Sequence, residues 1–175
     1  MPKPLLPERL PSIQRLRDLF SYDRETGLVT WRLARGPRKA GAVAGHRKRD
    51  GYVKACVDRQ HLQMHRIIWA METGAWPVNE IDHRNGVRQD NRWENLREAT
   101  IVQQRQNRKL SKASTSGLMG ATRTSDKKAW RSSIRANGRR LFLGNFPTAE
   151  AAHAAYVEAK ARLHPFQPTV RALEA

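Results

Sequence analysis

The densest group of side chains able to do chemistry is Ile81-Asp-His-Arg-Asn-Gly86, followed by Asp90-Asn-Arg-Trp-Glu-Asn-Leu-Arg97. Phosphodiester hydrolysis needs a base to deprotonate water, a divalent ion to stabilise charge on the phosphate and leaving oxygen, and a group that fixes the base. His83 has the intrinsic acidity of a base near neutral pH. Asp82 beside it is a hard oxygen donor of the kind Mg²⁺ prefers. Asn95 carries an amide suited to holding the imidazole or a neighbouring backbone group, and Arg84, Arg88, Arg92 and Arg97 are placed to grip phosphates. The same residues also read as a plain turn closed by Asn-Gly, with asparagines capping a helix. Spacing alone leaves both readings open.

The composition narrows the partner. Among 175 residues, 33 Lys and Arg stand against 16 Asp and Glu, a net charge of +17, and the pI is near 11.3. Such a balance argues against an enzyme of neutral metabolites and for a polyanion, either nucleic acid or an anionic membrane surface. The mean hydropathy is −0.74, and no apolar run approaches the ~20 residues of a membrane span. The N-terminal Met1–Leu10 lacks the apolar segment and cleavage site of a signal peptide. Cys56 is the single cysteine, which excludes disulfide scaffolds and Cys-rich zinc modules. A cytoplasmic location follows as the expectation. The cations are mostly Arg, 24 against 9 Lys, the residue suited to bidentate contact with phosphate and guanine.

The elements that must position the cluster are legible in outline. Ile13, Leu16, Leu19 and Phe20 recur at helical spacing after Pro11-Ser12. Asp23–Gly27 reads as a turn, Leu28–Trp31 as a strand, and residues 35–50 as a basic, Gly-rich loop. Gly51–Val57 alternates like a half-buried strand, and Asp58-Arg59 turns it into Leu62–Met64. The spacing predicts a helix from about His65 to Thr73, stopped by Gly74 and Pro77, and a second from Asn91 towards Lys109. His61 and His65 lie four apart, but with no cysteine nearby they do not make a zinc pair. His65 reads as a packing or backbone-contacting residue, and Cys56 as a buried small hydrophobe.

A stretch of linker composition, Leu110–Gly117, separates this block from a second one. There, strand-like runs at 118–124, 130–136 and 140–146 are divided by Asp126-Lys-Lys and by Asn137-Gly138, a strong hairpin signal. A helix follows from Pro147-Thr148 to about Leu163, with Ala152, Ala155, Tyr156, Ala159 and Leu163 in a narrow apolar stripe. Alternation puts Trp130, Ser132, Ile134 and Ala136 on one sheet face and Arg131, Ser133 and Arg135 on the other.

His65-Arg-Ile-Ile-Trp69, Ile81–Gly86, Asp90–Arg97, Ala99-Thr100 and Gln106-Asn-Arg108 together resemble the HNH endonucleases, in particular the phage and intron-borne homing type. With Tyr22-Asp-x-x-Thr-Gly27 and the Gly51-Tyr strand, the resemblance spans residues 15–109. It implies a ββα-metal fold in which a two-stranded ribbon ends in Asp82-His83, a loop carries Asn85-Gly86 and the helix begins near Asn91. It further implies His83 as general base, Asp82 as metal ligand and Asn95 as the residue steadying hairpin and base, with Mg²⁺, or alternatively Mn²⁺, as cofactor. The second ligand of that branch lies nine residues after Asn95, where this chain has Gln104. Gln offers a carbonyl oxygen on a longer side chain, and Asn107 is a possible substitute.

In the second block, Gly117–Arg123, Trp130–Ile134, Leu143-Gly-Asn-Phe146 and Ala149–Tyr156 resemble the APETALA-two-type domain of plant ethylene-response factors. That resemblance implies a three-stranded sheet reading DNA, with Arg123, Arg131, Arg135 and Arg139 as contacts and Trp130 as core or backbone contact. The expected fold is therefore α+β: a nuclease domain over 1–110, a linker at 111–116, a sheet-and-helix DNA-binding domain over 117–164 and a tail at 165–175. The expected protein is a metal-dependent endonuclease acting on double-stranded DNA as a monomer or weak dimer, one strand per active site, in the bacterial host of a phage or mobile element. Two other classes remain in view. A non-catalytic DNA-binding regulator fits Gln104, and an RNA-associated basic protein fits the charge but not Asp-His…Asn.

Overall fold

The computed structural model describes residues 10–34, 36–107, 110 and 114–166, and of Asn107 the backbone only. By contacts the chain divides into two compact units, Met1–Thr100 and Ile101–Ala175. The division lies some way before the Leu110–Gly117 stretch that sequence composition marks as linker.

In the first unit, α1 (Ile13–Leu19) starts where the Ser12 hydroxyl accepts from Arg15 N at 3.1 Å, an N-cap that satisfies one of the helix's orphan donors. The chain then runs into a hairpin, β1 (Phe20–Tyr22) with β2 (Val29–Trp31), in the register Phe20↔Trp31 and Tyr22↔Val29. A three-stranded antiparallel sheet follows: β3 (His46–Arg47), β4 (Val53–Val57) and β5 (Gln60–Gln63), in that order. The basic stretch 35–50 is thus not all loop. His46-Arg47 pairs with β4, and Val43 bridges to Thr30. Asp58 and Arg59 both have positive φ, 46° and 66°, the conformation a tight hairpin turn requires. Arg15 secures this turn with an ion pair to Asp58 at 3.0 Å.

Helix α2 (Met64–Thr73) buries Met64, His65, Ile67, Ile68, Ala70 and Met71, and ends in left-handed Gly74, whose N–H bonds Ala70 O at 3.0 Å. Its buried face closes the core with Leu16, Phe20, Val29, Ala55, Val57 and Leu62. Against this core stands a last hairpin, β6 (Glu80–His83) with β7 (Leu96–Ala99), in the register Asp82↔Arg97 and His83↔Leu96.

The helix expected from Asn91 is absent at that point. Residues 93–95 form one 3₁₀ turn, β7 follows, and only then comes the short α3 (Ile101–Gln104). The asparagines that resemble helix caps are spent on the loop, and Leu96 and Ala99 are buried while Arg97 and Glu98 are only partly covered. Cys56 is a second correction. Ala55 and Val57 face the core, so Cys56, one residue out of phase, lies on the other face of β4 and is only half-buried.

In the second unit, β8 (Ala121–Arg123), β9 (Trp130–Ala136) and β10 (Arg139–Phe146) form an antiparallel sheet with β9 central, followed by α4 (Ala149–Leu163). Asn137 and Gly138, φ 48° and 77°, make the hairpin turn that Asn-Gly announces. The Thr148 hydroxyl caps α4 by accepting from Ala151 N at 3.1 Å. Small residues carry the packing: Ala121, Ala149 and Ala152 are buried, with Leu118, Trp130 and Phe146 against them. Lys160 is buried at the end of the alanine stripe, its ammonium donating to Gln106 O at 2.7 Å.

Close packing makes Gly120 critical. Its φ is +82°, and a Cβ there would overlap the Tyr156 ring. Gly120→Ala is expected to destabilise the second unit by about 2–4 kcal/mol, combining backbone strain with overpacking. Gly138→Ala, also at positive φ but in open space, should cost only about 1 kcal/mol. Hydrogen exchange of the β9 amides measures both, and equal destabilisation by the two variants would refute the role given to Tyr156.

Candidate active site

The β6–β7 hairpin brings Asp82, His83, Asn91 and Asn95 into one buried group. His83 ends β6, and its Nε2 lies 3.1 Å from Asn91 Oδ1. With Asn91 Oδ1 as the acceptor, this contact calls for the tautomer in which Nε2 carries the proton. Asn95 acts on the loop instead. Its Oδ1 accepts from Asn85 N at 3.0 Å and its Nδ2 donates to Asp90 O at 2.7 Å, tying both ends of the 85–90 loop together. Arg84 N donates to Asn95 O at 2.8 Å, and Gly86 N to His83 O at 2.9 Å, so the turn after the imidazole is closed by backbone bonds. Sequence reasoning misses the Asn91 partner, because Asn91 reads there as a helix start.

Two aromatic neighbours wall the imidazole. The His65 ring lies edge-on at 5.1 Å, and the Tyr52 ring sits 6.0 Å away, itself covered by Arg88 at 4.7 Å. His65 is 2% exposed, and its Nδ1 is buried with no hydrogen-bond partner. Burial above all, then repulsion from His83 and Arg66, lowers its pKa to about 3. His65 is therefore neutral at working pH and packs rather than binding an ion. His61 is exposed on β5. In the unfolded chain His65 takes up a proton near its ordinary pKa of about 6.5, which the folded chain refuses until about pH 3. Stability of the first unit should thus fall as pH drops below about 6.5, by up to about 1.4 kcal/mol per pH unit. Denaturant titrations at neutral and mildly acidic pH measure this slope. His65→Phe should flatten it, and an unchanged slope would show that other groups carry it.

The arginines divide. Arg97 is committed to Asp82, with Nε at 3.1 Å and a terminal nitrogen at 2.9 Å from Oδ2, both side chains nearly buried. Arg92 donates to both Asp90 oxygens at 2.9 and 2.8 Å and reaches Glu94 at 3.0 Å. Those bonds hold the Asp90 carboxyl down at about 2. Both guanidiniums are engaged by carboxylates, because a guanidinium beside a carboxylate, across a strand pair or two residues along a turn, bonds it first. Arg84 is exposed directly after His83. Since Asp82 is buried beside its cation, Arg97→Ala is expected to cost about 2–4 kcal/mol, most of it the penalty of an uncompensated carboxylate. Asp82→Asn in the same chain should recover part of that loss. Thermal denaturation of the single and double variants checks it.

Residues 62–106 match the HNH endonuclease family. The match takes in the end of β5, α2, the β6–β7 hairpin and α3, so this stretch is similar to a nuclease domain. No curated protein and no solved structure matches the chain. Asp82, His83, Asn91 and Asn95 all lie inside the HNH match. Gln104 lies inside it too, at the end of α3, but belongs by contacts to the second unit. The Asn107 side chain lies outside the described residues.

HNH nucleases generally depend on a divalent ion, so the donor set needs testing. Asp82 supplies a hard carboxylate oxygen next to His83. Among the described residues no group of three or more His, Cys, Asp and Glu is placed to hold an ion. Asp82, a single carboxylate already bonded by Arg97, is of the type that holds a hard divalent cation together with water and substrate phosphate. No helix among the described residues is long and apolar enough to cross a membrane.

The second unit offers a separate basic surface. Cross-strand pairing places Thr122 with Arg131, Arg140 with Arg135, and Phe142 with Ser133 on the sheet face away from α4. Phe142 is 62% exposed there, and Arg131 stacks over it at 5.8 Å. Arg123 pairs with half-buried Trp130, over which it stacks at 4.9 Å, and Arg139 pairs with buried Ala136. The four arginines expected to act together are thus split by strand phase. Arg131 and Arg135 share the outer face with Arg140 and Phe142, while Arg123 and Arg139 fall in the inward phase and emerge at its edges. Trp130 packs on the alanine core.

Proposed function

We propose that this protein is a metal-dependent HNH endonuclease that hydrolyses one DNA strand per active site, with a second unit that holds the duplex. The observation that carries this reading is the buried His83 at the end of β6, orientated through Nε2 by Asn91, inside a stretch that matches the HNH family. His83 Nδ1 takes the proton of the attacking water. Asn91 and Asn95 keep the imidazole and its loop fixed through the reaction, and His65 and Tyr52 exclude water from the ring faces. Asp82 would hold the divalent ion, which would supply stabilisation of charge on the phosphate and leaving oxygen. In this reading the β6–β7 hairpin is the ribbon of a ββα-metal fold.

The second unit contributes the outer sheet face of Arg131, Arg135, Arg140 and Phe142, a cationic surface with an aromatic in its middle of the kind that contacts a DNA groove. Its motif order resembles the APETALA-two-type domains, which supports the same role. The origin in a phage or mobile element and a bacterial cytoplasmic location rest on the sequence resemblance.

Conversion of supercoiled plasmid to the open circle tests the activity. Nicking is expected with Mg²⁺ or Mn²⁺ and none with EDTA. Retardation of the same DNA in a gel without cutting under either metal would favour the non-catalytic DNA-binding regulator.

A further inference from the structure

The residue that orients His83 is itself held from outside the HNH match. Gly27, in the turn between β1 and β2, has φ +74°, and a Cβ there would sit 2.5 Å from Arg92 N and 2.7 Å from the Asn91 carbonyl carbon. Both are backbone atoms that cannot rotate aside. The Tyr22 hydroxyl donates to Asn91 O at 2.8 Å. Burial raises the Tyr22 pKa, so the hydroxyl remains a donor throughout the working pH range. Trp93 N donates to Arg24 O at 3.1 Å, and Arg24 stacks over the Trp93 ring at 5.5 Å while pairing with Glu72 at 3.1 Å. One hairpin turn thus grips residues 91, 92 and 93 in succession. Residue 91 is 4% exposed, and its side chain is the one on His83 Nε2.

We propose that the β1–β2 hairpin is a positioning element for His83, fixing the Asn91 backbone so that Asn91 Oδ1 accepts from Nε2–H and holds the lone pair on Nδ1. The physical reason is that a neutral imidazole has two tautomers of similar energy, and a fixed acceptor on one nitrogen selects between them. An amide displaced by several tenths of an ångström no longer does so. Tyr22, Gly27 and Asn91 act through His83 and are positioning residues. The proposal rests on the reading of His83 as the base, but its structural half can be tested without it.

The experiment uses the full chain with ¹⁵N-labelled histidine. Ring nitrogen spectra at alkaline pH report the His83 tautomer, and single-turnover nicking of supercoiled plasmid with Mg²⁺ or Mn²⁺ reports the rate. Asn91→Leu and Gly27→Ala should turn a single Nε2–H form into a mixture and slow nicking at saturating enzyme by about 10–100-fold. The enzyme concentration giving half the maximal rate should move by less than about twofold, because the side chains that face DNA are left intact. Tyr22→Phe, which keeps the ring packing, should give a smaller change of about 3–10-fold in the same direction. Asn91→Asp retains an acceptor and should keep the tautomer. If Tyr22→Phe and Gly27→Ala lower the melting temperature yet leave the tautomer unchanged, the hairpin is scaffold only and the proposal is overturned. If His83→Ala nicks as fast as the native chain, the base assignment fails instead, and the spectra alone decide whether the hairpin sets the tautomer.

Discussion

His83→Ala should lower single-turnover plasmid nicking by about 10²–10⁴-fold, the range a positioned general base contributes. The loss should lie in the rate at saturating enzyme rather than in DNA affinity, since the imidazole is buried and its ring is walled by His65 and Tyr52. Removing a buried ring also leaves a cavity, so part of any loss could come from unfolding. His83→Gln preserves volume and an amide donor towards Asn91 and separates the two. If the Gln variant melts like the native chain yet is as slow as the Ala variant, the lost function is the base. Equal nicking by native and Gln chains would remove His83 from the chemistry.

Combined Arg131→Ala, Arg135→Ala and Arg140→Ala should weaken duplex binding by about 100-fold or more at physiological salt. The same change should flatten the dependence of log affinity on log salt by about 0.9 for each phosphate that is no longer neutralised. These three side chains leave one sheet face, paired across β9 and β10 around Phe142. Arg123→Ala with Arg139→Ala removes two charges against three, from the opposite strand phase, and should cost far less per charge removed. This pair of variants separates a binding face from diffuse attraction to a chain of charge +17. Equal weakening per charge removed would mean that net charge alone holds the DNA. Titration of a labelled duplex at several salt concentrations gives both the affinity and the slope.

The two results concern different parts of the molecule, one hydrogen bond inside a hairpin and one surface created by strand alternation. Asp82 carries a conflict of its own, since its carboxylate serves a divalent ion in the proposed reaction while Arg97 bonds it in the folded chain. An arginine beside a metal-binding carboxylate holds that carboxylate in place before the ion arrives. The same arginine also competes with the ion, so weak metal affinity is the expected consequence.

Much of this is open to reading in the sequence, for reasons that are local. Ser12 and Gly74 bound their helices because a side-chain oxygen caps an N-terminus and a residue without Cβ accepts left-handed φ at a C-terminus. Asn137-Gly138 makes its hairpin because both residues tolerate positive φ. Alternation in 130–136 sorts the outward arginines from inward Ser132, Ile134 and Ala136, as the burial of β9 shows. Asp82, His83 and Asn95 form a dense cluster of polar side chains in the sequence, and the resemblance to the HNH endonucleases is what assigns them roles.

Tertiary structure decided which groups meet. Asn91 resembles a helix start in sequence, and only the pairing of Leu96–Ala99 with Glu80–His83 turns it inward against the imidazole. Arg97 reads as a phosphate contact, and only the register shows that it also lies opposite Asp82 and bonds it. Arg140 and Phe142 join the outer face because the hairpin turn sets their partners. Tyr22 and Gly27 reach Asn91 across more than sixty positions of chain, a contact no local pattern encodes. Local propensity is set by each residue's own backbone and side chain, so a sequence displays it. Contacts at long separation depend on how the buried faces of several elements fit at once, and that fit exists only in the folded chain.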